Sequence, residues 1–216
     1  MMNSFVLWPG MLLALAFMHF SCATRGQALE AYSGHARAGV DILWFRFLTD
    51  SMQKPTSFLF FSRNRASVDY NNAASAFGST NAVSYNFKSG IGIVAVGSFL
   101  NSGFTPKAGV QLVKQKGAFL FFGWLVADVA EKGQVDLFGL LRFSPRIRNH
   151  WKLFSQVELF PAYNPSSGFW NITERARLGL SYRRLSAGAM ADFNQQLVSS
   201  QTNTNNNLGI FLRHDF

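Results

Sequence analysis

The chain has 216 residues, of which 23 are Phe, 18 Gly and 6 Pro, while only 14% are charged. That length suits one domain, and so aromatic and charge-poor a composition excludes a disordered chain. The balance of 20 Lys and Arg against 11 Asp and Glu gives +9, which suits nucleic acid, anionic lipid or acidic solutes. No basic helix, zinc-ligand spacing or RNA-binding motif accompanies it, and this excludes nucleic acid.

Phe5 to Met18 is an apolar run broken only by Pro9 and Gly10. Small residues follow, with Ser21-Cys22-Ala23 and Gly26-Gln27-Ala28 as cleavage candidates, so residues 1–28 read as a signal peptide although no Lys or Arg precedes the run. The run is too short for a helical membrane span. Cys22, the only cysteine, lies inside or beside this segment and leaves the rest of the chain without a disulfide or a Cys-based metal site. Lipidation of Cys22 is an alternative, against which His19-Phe20-Ser21 is a poor lipobox.

Residues 29–55 read as a lead-in of small and polar residues, followed at Val40–Leu48 by a first strand or a segment packed in a lumen. From Thr56 onward, short segments of two-residue alternation are separated by turn signals, the pattern of a meander. In residues 56–70, Phe58, Phe60, Ala66, Val68 and Tyr70 share one face, and Arg63, Arg65, Ser67 and Asp69 the other. Val83, Tyr85 and Phe87 oppose Ser84, Asn86 and Lys88. Residues 91–100 and 118–129 are apolar on both faces, so their orientation cannot be read, and residues 107–115 alternate weakly. Val135, Leu137, Leu141 and Phe143 oppose Asp136 and Arg142.

The clearest pattern is a hairpin around Asn164-Pro165-Ser166-Ser167-Gly168. Trp151, Leu153, Val157, Leu159 and Tyr163 oppose Lys152, Gln156 and Glu158. Trp170, Ile172, Ala176, Leu178, Leu180 and Tyr182 oppose Arg175, Arg177 and Arg183, with Glu174 a misfit on the apolar face. Each apolar face begins and ends in Trp or Tyr. Twelve residues separate Trp151 from Tyr163 and Trp170 from Tyr182, which is roughly 40 Å of strand and, tilted, roughly the 30 Å of a bilayer's hydrocarbon. Trp and Tyr favour membrane interfaces because one end is apolar and the other wet. A soluble sandwich or barrel is the alternative, but its core would not need such residues at both ends of adjacent strands.

Ala187, Ala189, Ala191 and Phe193 oppose Asp192 and Asn194, and Gln195–Asn207 reads as an exposed polar loop. In the last segment Leu208, Ile210, Leu212, His214 and Phe216 share a face. A terminal Phe preceded by alternate apolar residues, here Leu208, Ile210 and Leu212, resembles the C-terminal assembly signal of Gram-negative outer-membrane β-barrel proteins; His214 departs from that pattern. The Phe-rich stretch Phe58-Leu59-Phe60-Phe61-Ser62-Arg63-Asn64-Arg65 is similar to small barrels of Bacteroidetes-type bacteria. The resemblance implies export to the outer membrane, contact with its lipid and recognition by the barrel-assembly machinery.

The expected fold is an all-β, antiparallel, up-and-down transmembrane barrel over residues 56–216. Eleven strand candidates are visible, and an even number is expected. Setting aside residues 40–48 leaves about ten strands, with twelve as the alternative. Phe216 then marks the inner rim. The loops at Asn71–Ser79, Asn101–Pro106, Asn164–Gly168 and Gln195–Asn207 face outside. The inner turns carry Lys114, Lys116, Arg146, Arg148, Arg183 and Arg184.

The inward face then holds Arg63, Arg65, Lys88, Asp136, Arg142, Lys152, Glu158, Arg175, Arg177, Asp192 and Arg213, with Asp69 and Asp215. Such a lumen is either wet or cross-paired, because lone buried charges are costly. Two readings follow: a structural polar core, or a narrow pore for small hydrophilic or anionic solutes lined by Arg63, Arg65, Arg175 and Arg177. A barrel that binds another envelope protein without transport is a third. His35, His150 and His214 share no readable inner face with an acid and a serine, so no catalytic residue, metal or cofactor is expected; an outer-membrane lipid hydrolase is the remote enzyme alternative.

Overall fold

The computed structural model describes residues 26–71, 75–101, 103–130, 133–198 and 201–216. The expected signal run and Cys22 lie outside the described residues. The strands are β1 (Gln27–Gly34), β2 (Arg37–Thr49), β3 (Pro55–Asp69), β4 (Ser75–Asn86), β5 (Ile91–Leu100), β6 (Gly103–Lys116) and β7 (Phe119–Asp128). They continue as β8 (Val135–Phe143), β9 (Arg146–Arg148), β10 (Trp151–Asn164), β11 (Phe169–Tyr182), β12 (Leu185–Val198) and β13 (Gln201–Asp215). Every pairing is antiparallel and sequential, and β13 returns to β1 with Ala28↔Asp215 and Gly34↔Gly209 in register. The result is a closed up-and-down barrel of twelve strands, with the three-residue β9 outside the ring against the start of β10.

The expected count of ten is therefore corrected to twelve, the number carried as the alternative. Residues 40–48 are the middle of β2, and the supposed lead-in contains β1. Both were hidden for physical reasons. On β1 the inward residues are Ala28, Glu30 and Tyr32, but the outward ones include only Ala31 and Ser33 as a stripe beside Leu29, so no apolar face is visible. On β2 both faces are apolar, with Leu43 buried and Trp44 exposed, and alternation cancels. Gln195–Asn207 is not a loop either. It continues β12 and β13 as a paired hairpin, with Gln195↔Thr204 and Leu197↔Thr202 in register. Main-chain pairing needs no apolar side chain, so this stretch keeps its ladder while its side chains are polar.

The outward face carries an apolar belt: Val40, Ile93, Val110, Leu125, Leu141, Val157, Leu178 and Ile210 are all exposed. Aromatic residues bound it. Near the rim that holds both described ends of the chain stand Trp44, Phe58, Tyr85, Phe119, Trp151, Tyr182 and Phe216; near the far rim stand Tyr70, Phe77, Phe99, Phe104, Tyr163 and Trp170. The β10–β11 hairpin ties the two girdles together. Trp151 pairs with Tyr182 at a ring separation of 5.0 Å, and Tyr163 with Trp170, stacked at 4.5 Å. An apolar surface this continuous is far larger than the patches a water-soluble monomer exposes.

Glu174, the misfit, also has a local explanation. It is outward and opposite Phe193, and Phe193 is opposite Asn206. Gln195 and Thr204 follow on the same face, so the outward surface of β11–β13 turns polar at this level.

Candidate functional site

The lumen is filled from two sides. Strands β1–β3 and β10–β13 contribute a network of ion pairs. Arg63 donates from Nε to Asp41 Oδ2 at 2.9 Å and from Nη1 to Glu158 Oε2 at 2.7 Å. Arg65 holds Asp41 at 3.1 Å and approaches Asp192 at 3.9 Å. Arg177 donates to Glu30 at 2.8 Å and to Asp192 at 2.7 Å, while Arg175 lies 3.5 Å from Glu158. Arg213 bonds Asp215 at 2.9 Å and reaches Glu30 at 4.0 Å. Gln156 extends the network, donating to Glu158 at 2.7 Å and accepting from Arg142 at 2.8 Å. The rings of Tyr32 and Phe154 supply cation–π faces, Tyr32 to Arg65 and Arg177 and Phe154 to Arg142 and Arg213.

The pair Arg63–Glu158 spans the lumen. β3 and β10 are six strands apart whichever way the ring is followed. One ion pair therefore joins opposite walls. Each carboxylate in this network meets at least one guanidinium, which is the condition for holding charges out of water.

Strands β2, β3, β7, β8 and β10 fill the other half with aromatic rings. Phe45 meets Phe122 at 4.8 Å, Phe61 meets Trp124 at 5.0 Å, and Trp124 meets Phe138 at 5.0 Å. These edge-to-face and tilted pairs are the geometries that ring quadrupoles favour. Inward aromatics explain why residues 118–129 are apolar on both faces: Phe121 and Leu125 point out, and Phe122, Trp124 and Val126 are buried inside. Near the described ends of the chain, Phe154 and Phe211 flank the paired Gly179 and Gly188. A Cβ on either glycine would fall 2.1 Å from a main-chain oxygen of the neighbouring strand, so only glycine fits that approach.

Cavities remain among the described residues, and a small one of about 280 Å³ beside Arg142, Lys152 and Phe154 adjoins the larger of the two that matter most. One of about 320 Å³ lies toward the far rim, among Arg37, Arg63, Arg65, Arg175, Thr80 and Trp124. One of about 560 Å³ lies at the rim of the chain ends, among Leu43, Phe45, Phe122, Leu140, Arg142 and Lys152. Phe61 lines both and stands between them.

Arg63, Arg65, Asp136, Glu158, Arg175, Arg177 and Asp192 face this interior, and Arg142, Lys152 and Arg213 line its cavity near the chain ends. Lys88 does not. It is exposed in the β4–β5 turn, because the strand ends at Asn86 and side-chain alternation stops with it. Glu30, Asp41 and Lys107 belong to the buried set that sequence reasoning missed; Lys107 pairs with Asp136 across β7. Each stands among small or apolar residues with no alternating polar partner to mark its face, so its inward placement shows only in the folded barrel. Trp151, Trp170 and Tyr182 are exposed on the outward face and Tyr163 is half-buried beside Trp170; Leu208, Ile210, Leu212 and Phe216 are also exposed outward. His35 Nδ1 accepts the Leu208 N–H at 3.0 Å, and His214 packs edge-on to Phe216 at 4.5 Å. Among the described residues no group of three His, Cys, Asp or Glu is placed to hold a metal ion.

Fold and lumen together define a twelve-stranded antiparallel β-barrel, apolar outside and ion-paired within. No family model and no curated protein matches the chain. Among solved structures it is similar to a chain from work on in-meso crystallisation of membrane proteins, at 12% identity over 88% of this chain and 83% of that one, with a TM-score of 0.41. It is also similar to a bacterial polysaccharide outer-membrane secretin, at 7% identity over 90% of this chain and 100% of that one, TM-score 0.34. A third is the β domain of the Bordetella autotransporter BrkA, at 9% identity over 89% of this chain and 99% of that one, TM-score 0.30. At such values nothing of what those proteins do carries over.

Proposed function

We propose that this protein is a resident barrel of a Gram-negative outer membrane that is closed to passive flow. It spans the membrane as a stable scaffold and presents its chemistry at its two mouths. The apolar belt between aromatic girdles supports the membrane setting. The closed state rests on one observation above all, the Arg63–Glu158 pair that crosses the lumen at 2.7 Å. Beside it, the rings of Phe45, Phe61, Phe122, Trp124 and Phe138 pack as one cluster inside the barrel. In this reading the strand ending at Phe216 is what the barrel-assembly machinery recognises, and outer-membrane lipid is the constant partner. The role is not catalytic.

A second reading is a gated narrow pore for small anionic solutes. It is favoured by the far cavity, where Arg175 Nε is buried without a hydrogen-bond partner among the described residues. Only side chains separate the two cavities around Phe61. Conductance in a planar bilayer distinguishes the readings. The closed barrel gives no steady current, and a variant carrying Phe61→Ala, Arg63→Ala and Glu158→Ala gives one. A steady, anion-selective current from the unmodified protein refutes the closed reading.

A further inference from the structure

The cavity beside the chain ends has an unusual split. Its floor is apolar: Leu43, Phe45, Phe122 and Leu140 line it, together with Phe61 and Leu120. Its mouth is cationic, with Arg142, Arg146, Lys152, Arg183, Arg184 and Arg213. Among the described residues Asp215 is the only carboxylate side chain on that lining, and Arg213 already holds it at 2.9 Å. Arg142 has no carboxylate partner among the described residues. Its Nε bonds the neutral Gln156, and its guanidinium lies 5.5 Å from the centre of the Phe154 ring. Arg146, Lys152 and Arg184 form no ion pair among the described residues. Deeper in the lumen Arg63, Arg65, Arg175, Arg177 and Lys107 each meet a carboxylate; here several cations are left over around one opening.

We propose that this cavity binds a small amphiphilic anion: an alkyl chain of modest length bearing a carboxylate or phosphate head. The head sits among Arg142, Lys152, Arg146 and Arg184, and the tail lies on Leu43, Phe45, Phe122 and Leu140. The physical case has two halves. Cations without an ion pair among the described residues, half-buried at Arg142 and exposed at Arg146, Lys152 and Arg184, gain from an anion that brings its own charge-assisted hydrogen bonds. An apolar floor left to water gains from burial of an alkyl chain. A volume of about 560 Å³ falls within the roughly 300–1,000 Å³ typical of small-molecule sites. Neither a free inorganic anion nor a neutral alkane satisfies both parts. The proposal goes beyond the closed-barrel reading and does not depend on whether the barrel conducts.

The test measures binding of decyl phosphate, decanoate, inorganic phosphate and decanol to the purified protein in nanodiscs of zwitterionic lipid, corrected by empty nanodiscs. Decyl phosphate and decanoate bind saturably at about one per barrel, and inorganic phosphate and decanol bind at least about tenfold more weakly, the loss of one charge-assisted hydrogen bond or of a few buried methylenes. The pair Arg142→Gln with Lys152→Gln weakens decyl phosphate by at least about tenfold on the same grounds. Should that variant fail to fold, Arg146→Gln with Arg184→Gln, both at exposed positions, takes its place with the same expected direction. Equal binding of decanol and decyl phosphate overturns the cationic mouth. Equal binding of inorganic phosphate overturns the apolar floor. Variants within twofold of the unmodified protein overturn the site. None of these results opens the barrel, so a conductance trace separates failure of this proposal from failure of the closed-barrel reading.

Discussion

Replacing Glu158 by Ala tests the cross-lumen pair directly. The Glu158 side chain is 3% exposed, and it accepts from Arg63 and Gln156, each at 2.7 Å, with Arg175 at 3.5 Å. After Glu158→Ala, Arg63 retains Asp41, but Arg175 loses its only carboxylate within ion-pair reach among the described residues. Breaking one side of a buried pair costs roughly 3–5 kcal/mol. Arg175 lines the far cavity and is 23% exposed, so water follows the lost carboxylate and the low end applies, about 3 kcal/mol. Glu158→Gln keeps an acceptor for Arg63 and costs less, about 1–2 kcal/mol. The assay is reversible urea unfolding from lipid vesicles, followed by tryptophan fluorescence, with Arg63→Ala and the double variant completing a cycle. A coupling of about 2 kcal/mol between the two positions is expected for groups in direct contact. If Glu158→Ala lies within about 0.5 kcal/mol of the unmodified protein, typical of an unimportant surface site, or the cycle closes with no coupling, the pair does not bind the walls together.

Two further outcomes follow from the same structure. Asn207 is fully buried; its Oδ1 accepts the Ala36 and Arg37 N–H groups at 3.0 and 3.1 Å, and its Nδ2 donates to the Arg37 carbonyl at 3.1 Å. Asn207→Ala leaves main-chain groups of the β1–β2 turn unpaired and should cost about 2–3 kcal/mol in the same unfolding assay, because unsatisfied buried groups carry the full desolvation penalty. Ile210 is 68% exposed in the middle of the outward belt, so Ile210→Arg should destabilise by about 2–4 kcal/mol in a bilayer, whereas Glu174→Leu, at the polar edge, should change stability by no more than about 1 kcal/mol. Equal penalties at the two positions would contradict the placement of the belt.

The parts of the fold that were legible are those where one face is apolar and the other polar. β10 and β11 show this best. Their register, Trp151↔Tyr182 to Tyr163↔Trp170, follows from alternation plus one loop signal. β3, β8 and the part of β13 from Leu208 onward are legible for the same reason, whereas residues 201–207, the polar part of β13, read as loop because they have no apolar face. Alternation fails wherever the interior is itself apolar. Phe122 and Trp124 inside are chemically indistinguishable from Phe121 and Leu125 outside, so β7 has no readable direction. The same cancellation hides β2, and small side chains hide β1. For the lumen, the arginines of β3 and β11 stand out because each segment carries two at alternate positions. Their partners Glu30 and Asp41 are single charges on the two unreadable strands, so the arginine set was legible as a list while its pairing was not. Pairing also depends on which walls face each other, and that is set by the strand count. With ten strands instead of twelve, β3 and β10 would not be opposite.

The chain's excess of positive charge resolves into two populations with different physics. One is inside: Arg63, Arg65, Arg175 and Arg177 are matched against Asp41, Glu158, Asp192 and Glu30, where separation from bulk water keeps salt from screening the pairs, while Arg213 bridges Glu30 and the partly exposed Asp215 at the mouth. The other is exposed at the rim of the chain ends: Lys114, Lys116, Arg146, Arg148, Arg183 and Arg184, which form no ion pair among the described residues. At the far rim, Arg37 stands in register with Asp69, so charge there is mixed. The excess is thus concentrated at one end of the barrel. A membrane leaflet with anionic headgroups attracts such an end, while the paired lumen contributes little net field. The cations of the mouth, Arg142 and Lys152, lie between the two populations. Arg142 is half-buried against the lumen floor and Lys152 is exposed at its edge, and among the described residues both lack the carboxylates that the deeper arginines have. This position gives a high basic balance a local purpose that neither an open pore nor a wholly structural plug requires.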